Sequence, residues 1–125
     1  MRWDRRTWTT LAALSGFFAV AFGAFAAHGL TDPTAKEVMR TGSIYAFVHA
    51  LATLACAPLA PATPRANLPP ALFLIGTLLF SGSLYALALG APRLVGIITP
   101  FGGLSFLAGW LALAWAALGL DPAKP

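Results

Sequence analysis

The sequence predicts an all-α integral membrane protein: a four-transmembrane-helix bundle with a short amphipathic segment before helix 2 and a Pro-rich loop between helices 2 and 3. Three observations carry this reading. Only 10% of the 125 residues are charged, where a soluble domain has roughly 25%. Those charges bracket four windows that contain none: 25 residues between Arg6 and Asp32, 24 between Arg40 and Arg65, 27 between Arg65 and Arg93, and 27 between Arg93 and Asp121. Each window exceeds the roughly 20 residues a helix needs to cross a hydrocarbon core, and a water-soluble globule could not cover its surface with what remains.

One membrane domain over residues 1–125 follows, with helices at about 8–27, 43–59, 71–90 and 100–119. The first ends at the breaker His28-Gly29-Leu30. Its start imitates a signal peptide, because Arg2, Arg5 and Arg6 precede an apolar run ending in Ala24-Phe25-Ala26. The run from Trp8 to Ala27 is 20 residues, longer than the 7–15 of such peptides, so it is read as a membrane helix. Thr31-Asp32-Pro33 supplies a capping Asp and a Pro at the first helical position. Residues 33–41 then form the amphipathic segment, with Asp32, Lys36 and Arg40 at four-residue spacing and able to pair. Helix 2 follows.

Five of the ten prolines, at 58, 61, 64, 69 and 70, fall between helices 2 and 3. Such spacing predicts an extended connection. After helix 3, Ala91-Pro92-Arg93 makes a turn, and Leu94 to Ile98 is expected to be half-buried and non-helical. Thr99-Pro100 repeats the cap-plus-proline start of a helix that ends before Asp121-Pro122.

Charge decides orientation and excludes other partners. The net charge of +4 comes from scattered residues, so no basic face exists to follow a phosphate backbone, and nucleic acid is excluded as a partner. Four spans put both termini on one side. That side carries Arg2, Arg5, Arg6, Arg65 and Lys124 against Lys36, Arg40 and Arg93 on the other, which predicts cytoplasmic termini. Trp8 and Trp115 fall near the same interface. The lone Cys56 allows no internal disulfide, and it and Met39 read as packing residues. No Gly-Lys-Thr phosphate loop, Cys-x-x-Cys pair or His-Glu-x-x-His is present, so no cofactor, metal or catalytic group is expected.

Lipid tails are as apolar as leucine, so helices associate through small residues that let backbones approach. Helix 1 offers Ala12, Gly16, Ala19, Gly23 and Ala27; helix 3 offers Gly82, Ala86 and Gly90; helix 4 offers Ser105, Gly109, Ala112 and Ala116. These are read as seams within one chain, a homo-oligomer face being the alternative.

Polar groups at membrane depth need internal partners. They are His28, Tyr45, His49, Ser81, Ser83, Tyr85 and Thr99. A functional reading makes His28 and His49 a proton relay or haem ligands. The structural reading has His28 anchoring at the interface and His49 bonded to a Tyr or Ser of another helix; it is preferred, because all four acids lie outside the spans. Thr99-Pro100-Phe101-Gly102-Gly103 could offer free amides to a lipid phosphate. The plainer version is a capped helix start whose glycines admit a neighbour.

These motifs resemble a known family. Gly23-Ala24-Phe25-Ala26-Ala27-His28-Gly29-Leu30, Tyr45 with His49, Phe80-Ser81-Gly82-Ser83-Leu84-Tyr85, Ile98-Thr99-Pro100-Phe101-Gly102-Gly103-Leu104 and Gly109-Trp110-Leu111 look like the signatures of the YgdD/YwdK family of small inner-membrane proteins (domain of unknown function 423, uncharacterised protein family 0382). The family commonly has Gly where Ala26 or Ala27 stands here. The resemblance implies four membrane helices, residence in the bacterial plasma membrane, a mitochondrial relative in animals and no established activity. His28, Tyr45, His49, Ser81, Gly82, Ser83, Tyr85, Thr99, Pro100, Gly102, Gly103 and Trp110 carry over only as family features.

The function expected is therefore a non-enzymatic membrane subunit that binds a partner protein or lipid. The alternatives are a small transporter or channel with a polar path at His28, Tyr45 and His49, or a haem-binding redox subunit.

Overall fold

A computed structural model describes residues 3–123. It contains four helical stretches long and apolar enough to span a membrane: Arg5–His28, Pro33–Leu59, Pro64–Ala88 and Arg93–Ala117. Arg2 and Lys124, two of the residues behind the orientation reading, lie outside the described residues.

The first span is α1 (Arg5–His28). It begins three residues earlier than expected because Asp4 caps it: the Asp4 carboxylate accepts the Thr7 amide at 3.0 Å. Helix α2 (Pro33–Cys56) is capped by Asp32, whose carboxylate accepts the Ala35 amide at 2.8 Å. The amphipathic segment at 33–41 is not separate from the second helix; it is the first two turns of α2. Gly42 costs an uninterrupted helix only about 1 kcal/mol, and no proline or cap stands there to stop it. An added Cβ at Gly42 would meet the Tyr85 ring at 2.9 Å, which accounts for the glycine.

The expected extended connection through 58–70 is mostly helical. Short 3₁₀ turns occupy Ala57–Leu59 and Pro64–Asn67, and α3 (Leu68–Gly76) begins immediately afterwards. Pro69 and Pro70 sit in its first turn, where a missing N–H leaves no bond unmade. The third span continues through a π-helical turn, Thr77–Ser81, into α4 (Gly82–Ala88). It closes at Gly90, whose φ of 98° lies in the left-handed region open to glycine.

Residues 94–98 also depart from expectation. Arg93–Ile97 is a 3₁₀-helix with no buried residue, and Leu94 is 73% exposed. This turn runs directly into α5 (Thr99–Ala117), so the apolar side chains face outward, toward lipid.

Helix α2 is the centre of the bundle: half of its most apolar stretch is buried, against 17–22% in the other spans. Ala12, Ala19 and Ala26 of α1 are buried at seven-residue intervals. Between them a Cβ added at Gly16 would stand 3.9 Å from the Ala50 Cβ, and one at Gly23 3.6 Å from the Ser43 Cβ, on α2. Ala26 rather than Ala27 completes the seam, since Ala27 is exposed.

The third and fourth spans interlock ring into notch. A Cβ at Gly76 would meet the Phe106 ring at 2.5 Å, one at Gly109 the Phe73 ring at 2.6 Å, and one at Gly102 the Phe80 Cβ at 2.6 Å. The third-span seam is thus not the expected Gly82, Ala86 and Gly90. Neither Gly82 nor Gly90 would place a Cβ within 4 Å of anything. Ser81 and Ser83 are both buried, and at 100° per residue the glycine between them points the other way.

At the end carrying the termini, the 57–67 connection clamps the first and fourth spans. The Trp8 indole N–H donates to the Asn67 side-chain oxygen at 2.7 Å. The Arg65 guanidinium stands 4.6 Å from the Trp115 ring centroid. Among the described residues Asp32, Lys36 and Arg40 form no ion pair; Asp32 is engaged as the cap.

Candidate functional site: a buried imidazole and its aromatic cage

His49 lies on the face of α2 turned toward the third and fourth spans and is 4% exposed. Its Nδ1 is 2.7 Å from the Tyr45 carbonyl oxygen one turn back. Its Nε2 is 3.1 Å from the Trp110 indole nitrogen of α5. A carbonyl can only accept and an indole N–H can only donate. His49 is therefore the neutral tautomer with its proton on Nδ1, and its Nε2 lone pair is committed to Trp110. The partner from another helix is a Trp, not the Tyr or Ser expected. The Phe106 ring stacks on the imidazole at 3.6 Å and 10°, and the Phe73 ring stands 5.4 Å away.

Tyr45 packs at 4.8 Å from Phe80 and is 45% exposed. His28 is not part of this cluster. It ends α1, exposed, while the neighbour of Ala50 on α1 is Gly16. Twelve residues along a helix is about 18 Å, so His28 and His49 are not brought together.

The other sequence-predicted residues tie helices to one another in two places. The Ser81 hydroxyl donates to the Gly42 carbonyl at 2.7 Å, and the Tyr85 hydroxyl shares a 3.2 Å bond with Ser43. The Tyr85 ring stacks on Phe22 of α1 at 4.1 Å. The Ser83 hydroxyl donates to the Phe80 carbonyl at 2.9 Å, so its 2.6 Å bond with Thr99 is one that Thr99 donates. Thr99 consequently does not cap α5, whose cap position is Ile98. Pro100 has no amide, and those of Phe101 and Gly102 bond the Ile98 carbonyl, so the amides expected to hold an anion are occupied. Gly102 admits the Phe80 backbone, and a Cβ added at Gly103 would stand 4.0 Å from the Phe80 ring.

Sequence reasoning named Ser105 only as a small seam residue, and it missed the hydroxyls of Thr53 and Thr77 in this interior. Ser105 donates to the Leu72 carbonyl across the α3–α5 seam at 2.7 Å. Thr53 and Thr77 bond the carbonyls one turn back, of His49 and Phe73. Phe73 and Phe106 were missed as well; their signal was the glycine facing each on the opposing helix. Among the described residues no group of three His, Cys, Asp or Glu side chains gathers to hold a metal ion.

Residues 22–103 match the family model described as a protein of unknown function (DUF423). Over 117 residues the chain is 48% identical to a UPF0382 membrane protein of Haemophilus influenzae, covering 90% of this chain and 94% of that one. It is 44% identical to the UPF0382 inner membrane protein YgdD of Escherichia coli K12, covering 87% of each. It is 40% identical to a UPF0382 membrane protein of Staphylococcus epidermidis, covering 86% and 92%. No solved structure matches the chain. The matched segment holds His28, Tyr45, His49, Ser81 to Tyr85 and Thr99 to Gly103, and with so much of each relative aligned the chain belongs to the UPF0382 (DUF423) family of membrane proteins.

Proposed function

We propose that the protein is a non-enzymatic membrane subunit that works by binding a partner protein or a lipid within the bilayer. It sits in the bacterial inner membrane with both termini in the cytoplasm. The observation that carries this reading is where the deep polar side chains are spent. His49, Ser81, Tyr85, Ser83 and Ser105 each bond a group on another element of the bundle. Apart from the half-exposed Tyr45, what the helices turn outward at membrane depth is chiefly apolar, and an apolar exterior recognises other helices and lipid chains.

Placement in the inner membrane is supported by the name of the Escherichia coli relative. Orientation is supported by Arg5, Arg6 and Arg65, all at the clamped end. A polar path or haem site through His28, Tyr45 and His49 draws less support, because the imidazoles stand about 18 Å apart along the bundle and the Nε2 of His49 is engaged.

Mass spectrometry of the intact protein, released from its native membrane in mild detergent, tests the proposal. A stoichiometric partner chain or a retained lipid is expected; recovery of the bare polypeptide alone would count against it. Reporters fused to the two ends should both lie in the cytoplasm, and reporters on opposite faces would overturn the topology.

A further inference from the structure

Helix α1 turns Leu11, Ser15 and Phe18 toward the third span. On another flank an open cleft runs along it, lined among the described residues by α1 alone. Arg5, Thr9, Ala13 and Phe17 stand there one above the other at four-residue spacing, with Arg6, Thr10 and Leu14 as a second row beside them. Chemistry is sorted along both rows: two guanidinium groups, then two hydroxyls, then only apolar side chains. Every one of these residues is exposed. The Thr10 hydroxyl is spent on the Arg6 carbonyl at 2.9 Å. The Thr9 hydroxyl has no partner among the described residues, and neither guanidinium forms an ion pair there. Asp4, the one acid beside them, lies in the field of Arg6 but is committed to the Thr7 amide, so the two cations leave a net positive charge.

We propose that this flank of α1 seats one anionic phospholipid of the leaflet at the termini end, its phosphate on Arg5, Arg6 and the Thr9 hydroxyl and one acyl chain along Ala13, Leu14 and Phe17. The proposal rests on the binding function proposed above and names the ligand and its seat. Charge selects the head: a basic pair at the interface favours a phosphate without a compensating cation. The order of groups selects the rest, because a ligand that meets cations and a hydroxyl first and hydrocarbon afterwards is an amphiphile aligned with the helix. Length agrees. From Arg5 to Phe17 is about 18 Å along α1, close to the roughly 15 Å of hydrocarbon in one leaflet, and Trp8, beside Thr9 in the chain, is of the residue type that marks the headgroup boundary. A partner helix is the poorer occupant. Close helix association uses small residues, and the glycines of this half of α1 and its middle, Gly16 and Gly23, face α2, whereas Leu14 and Phe17 stand outward, 51% and 66% exposed.

Exposed arginines can be exchanged without damaging the bundle, and the far end of the molecule supplies a charge-matched control. Arg40 and Arg93 are exposed as well, so Arg40→Gln with Arg93→Gln removes the same charge elsewhere. The full chain is stripped of lipid in detergent and titrated with phosphatidylglycerol or phosphatidylcholine, with adducts counted by native mass spectrometry. A second measurement needs no variant: phosphatidylglycerol carrying a diazirine midway along one chain is photolysed on the wild type, and the labelled peptide is sequenced.

The wild type is expected to hold one phosphatidylglycerol per chain in preference to phosphatidylcholine. Arg5→Gln with Arg6→Gln should weaken it about thirtyfold, about fivefold for each arginine, and abolish the preference, while melting in detergent stays unchanged. Arg40→Gln with Arg93→Gln should leave both intact. The photolabel should fall on α1 between Ala13 and Phe17. Equal affinity of the wild type for the two lipids, a preference that survives the loss of Arg5 and Arg6 or vanishes equally in the control, or a label confined to other helices would overturn the seat. If a stoichiometric protein partner or another retained lipid is recovered from native membranes in that case, the broader binding function stands and only this seat fails; a chain recovered with neither fails both.

Discussion

The Trp110 indole of α5 donates to the Nε2 of His49 on α2, and His49 in turn donates from Nδ1 to the Tyr45 carbonyl. One imidazole thus joins α2 to α5, beside the Phe106 ring that stacks on it, using a polarised chain of two bonds in an apolar interior. Trp110→Phe keeps an aromatic ring next to Phe73 and leaves Nε2 without a donor. Hydrogen bonds between membrane helices average about 0.6 kcal/mol and reach about 1.7, so a loss of about 1 kcal/mol is expected on melting in detergent. The double variant Trp110→Phe with His49→Leu should cost less than the sum of the singles. Strict additivity would mean that the two side chains are not coupled.

Two glycines separated by twenty residues predict opposite outcomes. Gly102→Ala drives a methyl into the Phe80 backbone of the third span, and overpacking of this kind costs about 1–3 kcal/mol. Gly82→Ala meets nothing and replaces a poor helix former, so stability should be unchanged or rise by up to about 1 kcal/mol. Thermal melting of both variants in one detergent decides the matter, and equal losses would mean the third span is rotated from its position here.

The four spans were legible because their signal is an absence of charge over 24 residues or more, and nothing else in a chain this short produces it. The caps at Asp32 and the admission of a neighbour by Gly102 and Gly109 were legible for the same local reasons. What could not be read was rotation. Gly82 and Gly109 have the same small-residue spacing, yet only Gly109 faces a partner ring, and the difference is set by which flank of each helix is buried. The polar pairings followed suit: Ser81, Ser83 and Thr99 were marked as needing partners, but Thr99 turns to Ser83 instead of its own helix end. Pro69 and Pro70 were misread because proline ends a helix from within and begins one equally well.

Acid should fray the start of α1 specifically. The amide of Thr7 bonds the Asp4 carboxylate and holds its pKa below the ordinary value, which is about 3.9. A lowered folded-state pKa contributes stability that is complete above the unfolded value and is lost as pH falls through the folded one. In an NMR titration the Asp4 carboxyl and the Thr7 amide should therefore shift together, with one midpoint below about 3.9. Asp4→Asn, which still accepts the bond, should remove the titration but keep the cap. A Thr7 amide indifferent to both changes would show that the cap is not formed.

Ser81 and Ser83 differ in what their hydroxyls connect, and this separates their effects. Ser81 reaches across to the Gly42 carbonyl of α2, whereas Ser83 donates to Phe80 within its own span and only receives from Thr99. Ser81→Ala removes a bond between helices at a fully buried site, so about 1 kcal/mol of stability should be lost. Ser83→Ala takes away a local bond and leaves Thr99 to turn its hydroxyl to another acceptor, so roughly half that loss is expected. The Tyr85–Ser43 bond lies beside the Ser81 contact on the same pair of helices. Ser81→Ala combined with Tyr85→Phe should therefore depart from additivity, while Ser83→Ala combined with Tyr85→Phe should not. Melting curves for the two double variants and their singles measure this directly; coupling of equal size in both pairs would place Ser83, too, on the α2 side of the bundle.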